Sequence, residues 1–238
     1  MSRENAAIDL GGWLQNLRVA DPNKRAHAAT VLGLMGPVAQ GALPALIEAL
    51  RDDTPHVRRV VYAALSEIGP AARNAVPALI AFLRDRYEPI RRRAAQCLAD
   101  LGPTARTAIP ALIEALRDPS VEVRRWAVFA LGAIGPRALP AVPTLMAGLR
   151  EPASLFRAVT FTALRKIGPE VIPDLLPALR HPDPTVRRHV IRLIGQLGGD
   201  VPDLLTALQS VARDPDDAVR AAARDAVARL RWSLTARE

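Results

Sequence analysis

The stretch LPALIEALR at residues 43–51 decides the fold, because its apolar residues are spaced three and four apart, as on one face of an α-helix. Closely similar stretches occupy residues 76–84, 109–117 and 142–150, each 33 residues after the one before. The proline in second place suits the first turn of a helix, where its missing N–H costs no hydrogen bond. The arginine in last place stands where the helix dipole favours a cation. The recurrence predicts a chain built from repeated helices.

A column of arginines sets the length of the repeat. Each of these arginines is preceded by another one seven residues earlier, and a glycine follows eleven residues after each of the first six. Proline follows five of those glycines, which predicts a left-handed glycine that ends a second helix and a proline that prevents its continuation. The pairs Asp118-Pro119 and Asp214-Pro215 predict an N-cap and the first residue of that second helix. The column, spaced by 33 residues except for one interval of 30, consists of Arg25, Arg58, Arg91, Arg124, Arg157, Arg187 and Arg220.

A single pair of helices cannot bury its apolar face alone, whereas stacked pairs share a continuous core. The fourth residue after the repeat arginine is uncharged in the first six units and is Arg224 in the seventh. A charge there predicts that the seventh unit caps the stack. We expect one domain, 1–238, whose units cover about residues 1–37, 38–70, 71–103, 104–136, 137–169, 170–199 and 200–238.

The units resemble HEAT repeats, specifically the short HEAT-like repeats named after phycobilisome lyases. The resemblance rests on the proline of the first helix and on Asp/Arg pairs six residues apart, at Asp52/Arg58, Asp85/Arg91, Asp118/Arg124 and Asp214/Arg220. It implies an all-α, right-handed α-solenoid of seven HEAT-like helix pairs, with the second helices lining the concave surface. It also implies that these aspartates and arginines link neighbouring repeats as a buried ladder. Because Val19, Glu151 and His181 replace the aspartate, we expect a weaker ladder at repeats 1, 5 and 6.

The amino-acid composition says more about the cellular compartment of the protein than about its function. The one cysteine, Cys97, excludes an internal disulfide and favours a reducing compartment. No signal peptide is visible and no run approaches eighteen apolar residues, so we expect a cytoplasmic protein that does not enter a membrane. The net charge of +8 suits nucleic acid or an acidic protein, but it also suits a genome that favours arginine codons. We expect Cys97 and Trp13 to lie in core columns.

The candidate binding residues are those that depart from the repeat pattern at positions one, two and five after the repeat arginine. The two arginine columns account for 14 of the 30 arginines, so the net charge by itself is no sign of nucleic-acid binding. Trp126 and Phe129, rimmed by arginine, have the composition of a binding hot spot. The alternatives are that these aromatics fill space between repeats and that the arginines are solvated. The predicted partner-binding residues are Arg59, Arg92, Arg93, Arg125, Trp126, Phe129, Arg188, His189 and Arg192.

These residues predict a non-catalytic scaffold that binds a protein partner along the concave face, with an acidic partner suited to the arginines. Nucleic-acid binding through the arginine band is the alternative. Handling of a chromophore, as in phycobilin lyases, is a more remote alternative that only the repeat type suggests. No catalytic triad, paired catalytic carboxylates, phosphate-binding loop or metal-ligand spacing occurs, so we expect no catalytic residue, metal or cofactor. The sequence does not determine the oligomeric state.

Overall fold

The computed structural model describes residues 9–68, 75–149, 154–198 and 204–235, and these form helices and turns without a β-strand. The α-helices alternate between a short first helix and a longer second helix, in seven pairs. The first helices are α1 (Leu10–Asn16), α3 (Leu43–Ala49), α5 (Val76–Phe82), α7 (Ile109–Ala115), α9 (Val142–Gly148), α11 (Ile172–Leu175) and α13 (Leu204–Ser210). The second helices are α2 (Pro22–Leu34), α4 (Pro55–Ile68), α6 (Glu88–Leu101), α8 (Val121–Ile134), α10 (Ser154–Ile167), α12 (Pro184–Leu197) and α14 (Asp217–Thr235).

The chain divides into two compact units, Met1–Ala130 and Leu131–Glu238, and the boundary lies within α8. In the first unit, the apolar stripe of the first helices supplies the core through residues such as Leu46, Leu79 and Leu112, all at most 1% exposed. In the second unit, Leu145 and Leu175 occupy the equivalent places. Each unit therefore buries a core of its own between first and second helices.

Proline stands at the start of the first helices and also ends one of them, α11, early. It stands at the first turn of α3, α5, α7, α9 and α11, as predicted. A further proline, Pro177, restricts α11 to four residues, after which the chain continues as a 3₁₀ turn over Leu176–Arg180. This shortened helix lies within the one repeat interval of 30 residues, between Arg157 and Arg187.

The glycines that follow the second helices have the positive φ predicted for them. Their φ angles run from 52° at Gly102 to 119° at Gly168, with Gly36, Gly135 and Gly198 between these values. The ψ angle of Gly102 is −130°, which lies outside the left-handed helical region and is tolerated by glycine almost alone. Gly69, the sixth member of this column, lies outside the described residues.

The prediction for Asp118-Pro119 and Asp214-Pro215 as helix starts is wrong. The second helices α8 and α14 begin two residues after these prolines, at Val121 and Asp217. The carboxylate of Asp118 accepts the N–H of Ser120 at 2.8 Å, and that of Asp214 accepts the N–H of Asp216 at 2.9 Å. These aspartates close a turn ahead of the helix, and their oxygens also accept hydrogen bonds from an arginine, as described below.

Two of the predicted core residues have different environments. Cys97 is 4% exposed, which confirms a core position. Trp13 is only half-buried, although the equivalent Leu46 is fully buried. The Trp13 ring meets the ring of His27 edge-on at 5.5 Å. The prediction of a buried Trp13 is therefore wrong.

Three glycines inside second helices allow neighbouring second helices to approach closely. A Cβ atom on Gly33 of α2 would lie 2.7 Å from the Cα atom of Ala64 in α4. In the second unit, a Cβ on Gly132 would lie 2.8 Å from the Cα of Ala163, and Gly195 has a similar relation to Ala226. Contacts this short have no room for a methyl group, so these joints require glycine.

One described stretch, Val121–Gly148, has the length and mean hydropathy of a membrane span. Half of its most apolar window lies buried inside the fold. The stretch comprises α8, a 3₁₀ turn and α9, with Gly135 at a φ of 77° between the two helices. Core helices of folded proteins pass the same test of composition, so the observation is weak evidence for a membrane.

Candidate functional site

The repeat arginines link neighbouring repeats through a bidentate ion pair, which we call a rung. Arg91 donates from Nε and Nη2 to the two carboxylate oxygens of Asp118 in the next repeat, at 2.7 and 3.0 Å. Its Nη1 donates to the backbone carbonyl of Asp85 in its own repeat at 2.9 Å. The same pattern joins Arg25 to Asp52 and Arg187 to Asp214. These rungs confirm the ladder that the resemblance implied.

The ladder departs from this pattern where the sequence does. Asp183 replaces the missing carboxylate of His181 and accepts one bond from Arg157, 2.7 Å long. This rung is more exposed, at 20% and 34% of the two side chains, which agrees with the weaker ladder expected there. At Val19 the backbone carbonyl accepts Nη1 of Arg25 at 2.8 Å, as the carbonyl of Asp85 accepts Nη1 of Arg91. Glu151 lies outside the described residues.

One rung with both residues present is not formed. Arg58 and Asp85 are both described, and no salt bridge joins them within the described part of the chain. Arg58 instead donates from Nη1 to the carbonyls of Asp52 and Asp53. Between the same two repeats, the guanidinium of Arg93 lies over the Tyr62 ring, 5.6 Å from its centre. The contact between repeats 2 and 3 therefore differs in kind from the bidentate rungs.

The rungs lower the pKa of the aspartates that form them. Burial by itself raises the pKa of Asp52 and Asp118, but the bonds from the arginine and from a backbone N–H outweigh it. For Asp214, the bond from Arg187 is the largest influence, and it lowers the pKa. These carboxylates are therefore ionised at neutral pH, and their role is to join repeats.

The second arginine column also reaches into the next repeat. Arg18 contacts Glu48 at 3.2 Å and Arg84 contacts Glu114 at 2.5 Å, in both cases 30 residues further along the chain. Where the equivalent residue is not acidic, Arg51 lies over the Phe82 ring at 5.0 Å. These side chains have structural partners, so the candidates for partner binding are the remaining arginines.

The aromatic pair of repeat 4 lies at the surface without being fully exposed. The ring centres of Trp126 and Phe129 are 5.4 Å apart, with the planes tilted by 50°, and both side chains are half-buried. Arg125 beside them pairs with Glu122 at 2.9 Å, while its Nε is buried without a hydrogen-bond partner in the described residues. The two rings therefore form a half-buried aromatic patch on α8, and Arg125 precedes Trp126 on the same helix.

The other predicted arginines of the first unit have neighbours on their own helices. Arg59 is exposed, with Nη2 3.1 Å from Nδ1 of His56. Arg92 is half-buried and 3.9 Å from Glu88. Arg93 donates to the side-chain oxygen of Gln96 at 2.6 Å in addition to its contact with Tyr62. Arg59 and Arg92 therefore remain available at the surface, whereas Arg93 is engaged in packing.

In the second unit, His189 is engaged in packing as well. Its ring stacks on Phe161 with centres 5.1 Å apart, and its Nδ1 contacts the carbonyl of Thr185 at 2.7 Å. Arg188 is half-buried, with a buried Nε that has no partner among the described residues. Arg192 is exposed and lines a cleft of about 330 Å³ together with Arg229, which the sequence pattern did not single out.

The described residues contain no group of three metal-binding side chains close enough to share an ion. Of the predicted binding residues, Trp126 and Phe129 form the aromatic patch of the first unit, and Arg192 lines the cleft of the second.

Repeated helix pairs joined by an arginine ladder define a helical repeat protein of the solenoid class. The model of the HEAT repeat family matches residues 10–99, 76–165 and 142–228, and the chain therefore belongs to the HEAT repeat family. None of the functionally curated proteins is similar enough to count as a relative.

Several solved structures share the fold. The complex of CpcE and CpcF of phycocyanin lyase from Nostoc sp. PCC7120 is 28% identical, with 97% of this chain and 90% of that chain covered and a TM-score of 0.56. A designed armadillo repeat protein in complex with the peptide (KR)4 is 17% identical, with coverages of 93% and 99% and a TM-score of 0.54. An engineered protein is 21% identical, with coverages of 94% and 97% and a TM-score of 0.52. The last two similarities concern the fold alone.

Proposed function

We propose that this protein is a non-catalytic scaffold that binds a segment of a partner protein on the second-helix surface of repeats 2 to 4. The observation that carries the proposal is the half-buried Trp126–Phe129 pair on α8, with Arg125 next to Trp126 in the chain. A large aromatic surface beside a guanidinium supplies both apolar area and charge-assisted hydrogen bonds, which dominate binding energy in protein interfaces. Repeat solenoids of the HEAT and armadillo type commonly present such surfaces.

The charges at this surface favour an acidic partner. Arg59, Arg92 and Arg125 occupy the same position in three successive repeats, and we call them the arginine row. The designed armadillo neighbour was solved with the basic peptide (KR)4, so a related fold can hold an extended charged peptide. The arginine row of this chain is itself basic, so the ligand we propose is an acidic segment with an apolar side chain for the aromatic patch.

The proposal is tested by selecting binding peptides from a displayed random library against the wild-type protein. Selected peptides should be rich in Asp or Glu with an apolar anchor, and Trp126→Ala with Phe129→Ala should abolish their binding. Trp232→Ala is the matched control, because it removes an exposed tryptophan from α14, 74% accessible, outside the surface. Equal loss in the control, or selected peptides without acidic residues, would contradict the proposal. A large drop in thermal stability of the double variant would place the pair in the core.

Nucleic-acid binding is the competing proposal, supported by the same row of arginines. Contacts to a phosphate backbone weaken steeply as salt rises, so a random duplex should be retained at about 50 mM salt and released at several times that concentration. Absence of retention at the lower concentration removes this candidate.

A role in handling a phycobilin is favoured only by the 28% identity to the CpcE–CpcF complex. Addition of a phycobilin to the purified protein should then shift the pigment's visible absorption. An unchanged spectrum would leave the scaffold proposal in place. For either binding role we propose the cytoplasm as the location, because the lone cysteine, Cys97, suits a reducing compartment.

A further inference from the structure

The second helices α12 and α14 enclose a small polar cleft on the exposed side of the second unit. Its volume is about 330 Å³, within the lower range of ligand sites in proteins. Glycine and alanine form part of the lining, and longer polar side chains surround them. The lining residues are Arg192, Gly195, Gln196, Ala222, Asp225, Ala226 and Arg229.

The cleft exists because the two helices meet through their smallest residues. A Cβ on Gly195 would lie 2.9 Å from the Cβ of Ala226, so the backbones approach closely at that point. Ala222 and Ala226 are buried, at 4% and 3% exposure. Because these residues are small, they leave a space between α12 and α14 that larger side chains would fill. The charged residues of the two helices surround that space.

The charged groups of this cleft have no partners within the described residues. Arg192, Asp225 and Arg229 are all exposed, and none of them forms a salt bridge or a side-chain hydrogen bond in the described part of the chain. The rung arginines behave differently, since Arg187 in the same helix α12 is bound by Asp214 on two nitrogens. Two guanidinium groups and one carboxylate therefore face the same space uncommitted.

We propose that this cleft binds a carboxylate carried by a peptide. The carboxylate takes the position between Arg192 and Arg229, because guanidinium groups bind carboxylates through paired, charge-assisted hydrogen bonds. The peptide's own N–H groups are then offered to Asp225, which can only accept, and its carbonyls to the amide of Gln196. The carboxylate can come from an internal Glu or Asp or from a free C-terminus.

A nucleic acid suits the cleft less well. A continuous phosphate backbone would be repelled by the carboxylate of Asp225, whereas a peptide offers both a carboxylate and N–H donors. None of the lining residues is aromatic, so bases would have no side chain on which to stack. The mixed charge of the cleft thus selects for a ligand that is both anion and donor.

The inference shares with the proposed function only the class of ligand. It depends on α12 and α14, while the proposed function depends on Trp126 and Phe129 of α8. Trp126→Ala with Phe129→Ala should leave binding at the cleft unchanged, so the failure of one proposal is distinguishable from the failure of the other.

The test uses three blocked or free tripeptides and follows the arginine side-chain N–H signals of the ¹⁵N-labelled protein during titration. Acetyl-Ala-Glu-Ala-amide reports an internal carboxylate, acetyl-Ala-Ala-Ala with a free C-terminus reports a terminal one, and acetyl-Ala-Gln-Ala-amide is the uncharged control. We expect at least one of the two acids to bind and the glutamine peptide not to bind. Arg192→Ala and Arg229→Ala should each weaken the acid about tenfold, the loss of a charge-assisted hydrogen bond.

A matched variant separates the cleft from the general charge of the protein. Arg224→Ala removes an exposed arginine from the same helix α14 without touching the cleft, and it should change affinity less than about twofold. Asp225→Asn should strengthen the binding of plain acetate. It should lower the affinity for the peptide relative to the affinity for acetate, because only the peptide has N–H groups that Asp225 can accept. Equal losses in Arg224→Ala, binding of the glutamine peptide, or displacement of the acids by a short single-stranded oligonucleotide would each overturn the proposal.

Discussion

Arg187 and Asp214 form the most buried ion pair among the described residues, with bonds of 2.8 Å from Nε and from Nη2 to the two carboxylate oxygens. Only 11% and 6% of the two side chains are exposed. Each charge has been removed from water, and each is stabilised mainly by the other. The consequence is that repeats 6 and 7 depend on one another through two residues.

Removal of one partner of this pair should strongly destabilise the protein. Asp214→Ala leaves Arg187 buried without its carboxylate, so we expect the free energy of unfolding to fall by about 3 kcal/mol. The measurement is urea unfolding followed by circular dichroism. Asp183→Ala, at the more exposed rung with a single bond, should cost about 1–2 kcal/mol, mostly from the loss of its helix cap. A double variant, Arg187→Met with Asp214→Ala, should cost less than the two single changes together.

Acid should unfold the protein by protonating the rungs. Because the pKa values of Asp52, Asp118 and Asp214 are lowered in the folded state, the unfolded chain binds more protons as the pH falls. The rung contribution is complete at neutral pH, begins to be lost below about pH 5, and disappears as the pH passes below the native pKa values. Urea unfolding at a series of pH values should show this slope, and Asp118→Asn should reduce it. Stability that rises toward lower pH would contradict the sign of these shifts.

The close contact at Gly33 predicts an unusual response to alanine. Gly33→Ala places a methyl group 2.7 Å from the Cα of Ala64, so α2 and α4 must separate, at a cost of about 1–3 kcal/mol. Gly11→Ala is the control, since its Cβ would meet only Asp9, at 3.6 Å, in an exposed helix. Alanine there should be neutral or stabilising by up to about 1 kcal/mol, as helix propensity requires. Thermal unfolding of both variants would test the difference, and similar effects would show that the joint can relax.

Cys97 should be unreactive in the native protein. Burial raises the pKa of its thiol to about 12, so almost no thiolate is present near neutrality, and only 4% of the residue is accessible. A disulfide reagent at about pH 8 should therefore modify it only after unfolding in denaturant. Rapid labelling of the folded protein would show that α6 opens readily around this position.

The sequence predicted the features that every repeat shares. The rungs, the prolines of the first helices and the positive-φ glycines recur at fixed spacing, so each is supported by several copies of the same pattern. Asp118 was misassigned as a helix cap because turn closure and cap formation use the same residue type with the same spacing. Only the coordinates show that its oxygens bind Ser120 and Arg91.

Contacts between repeats were less predictable, because they depend on how far apart two second helices stand. His189 and Arg93 both stand two residues after their repeat arginine, a position from which the sequence predicted partner binding, and they pack on Phe161 and Tyr62 of the preceding repeat. The cleft at Arg192 depends on the approach of Gly195 to Ala226, which is a property of two helices. A glycine inside a second helix, at the height of an alanine in the second helix of the next repeat, was the one sequence pattern that could have indicated these close helix contacts.

The direction of the ladder has a consequence for how such a chain can evolve. Each bidentate rung takes its arginine from one repeat and its aspartate from the next, 27 residues later, in a chain whose usual repeat is 33 residues. A duplicated repeat therefore brings one rung arginine and one rung aspartate of its own, and the deletion of a repeat removes one of each. Where a bidentate rung is present, adding or removing a whole repeat therefore leaves no buried guanidinium without a carboxylate, so the number of repeats can change at those junctions.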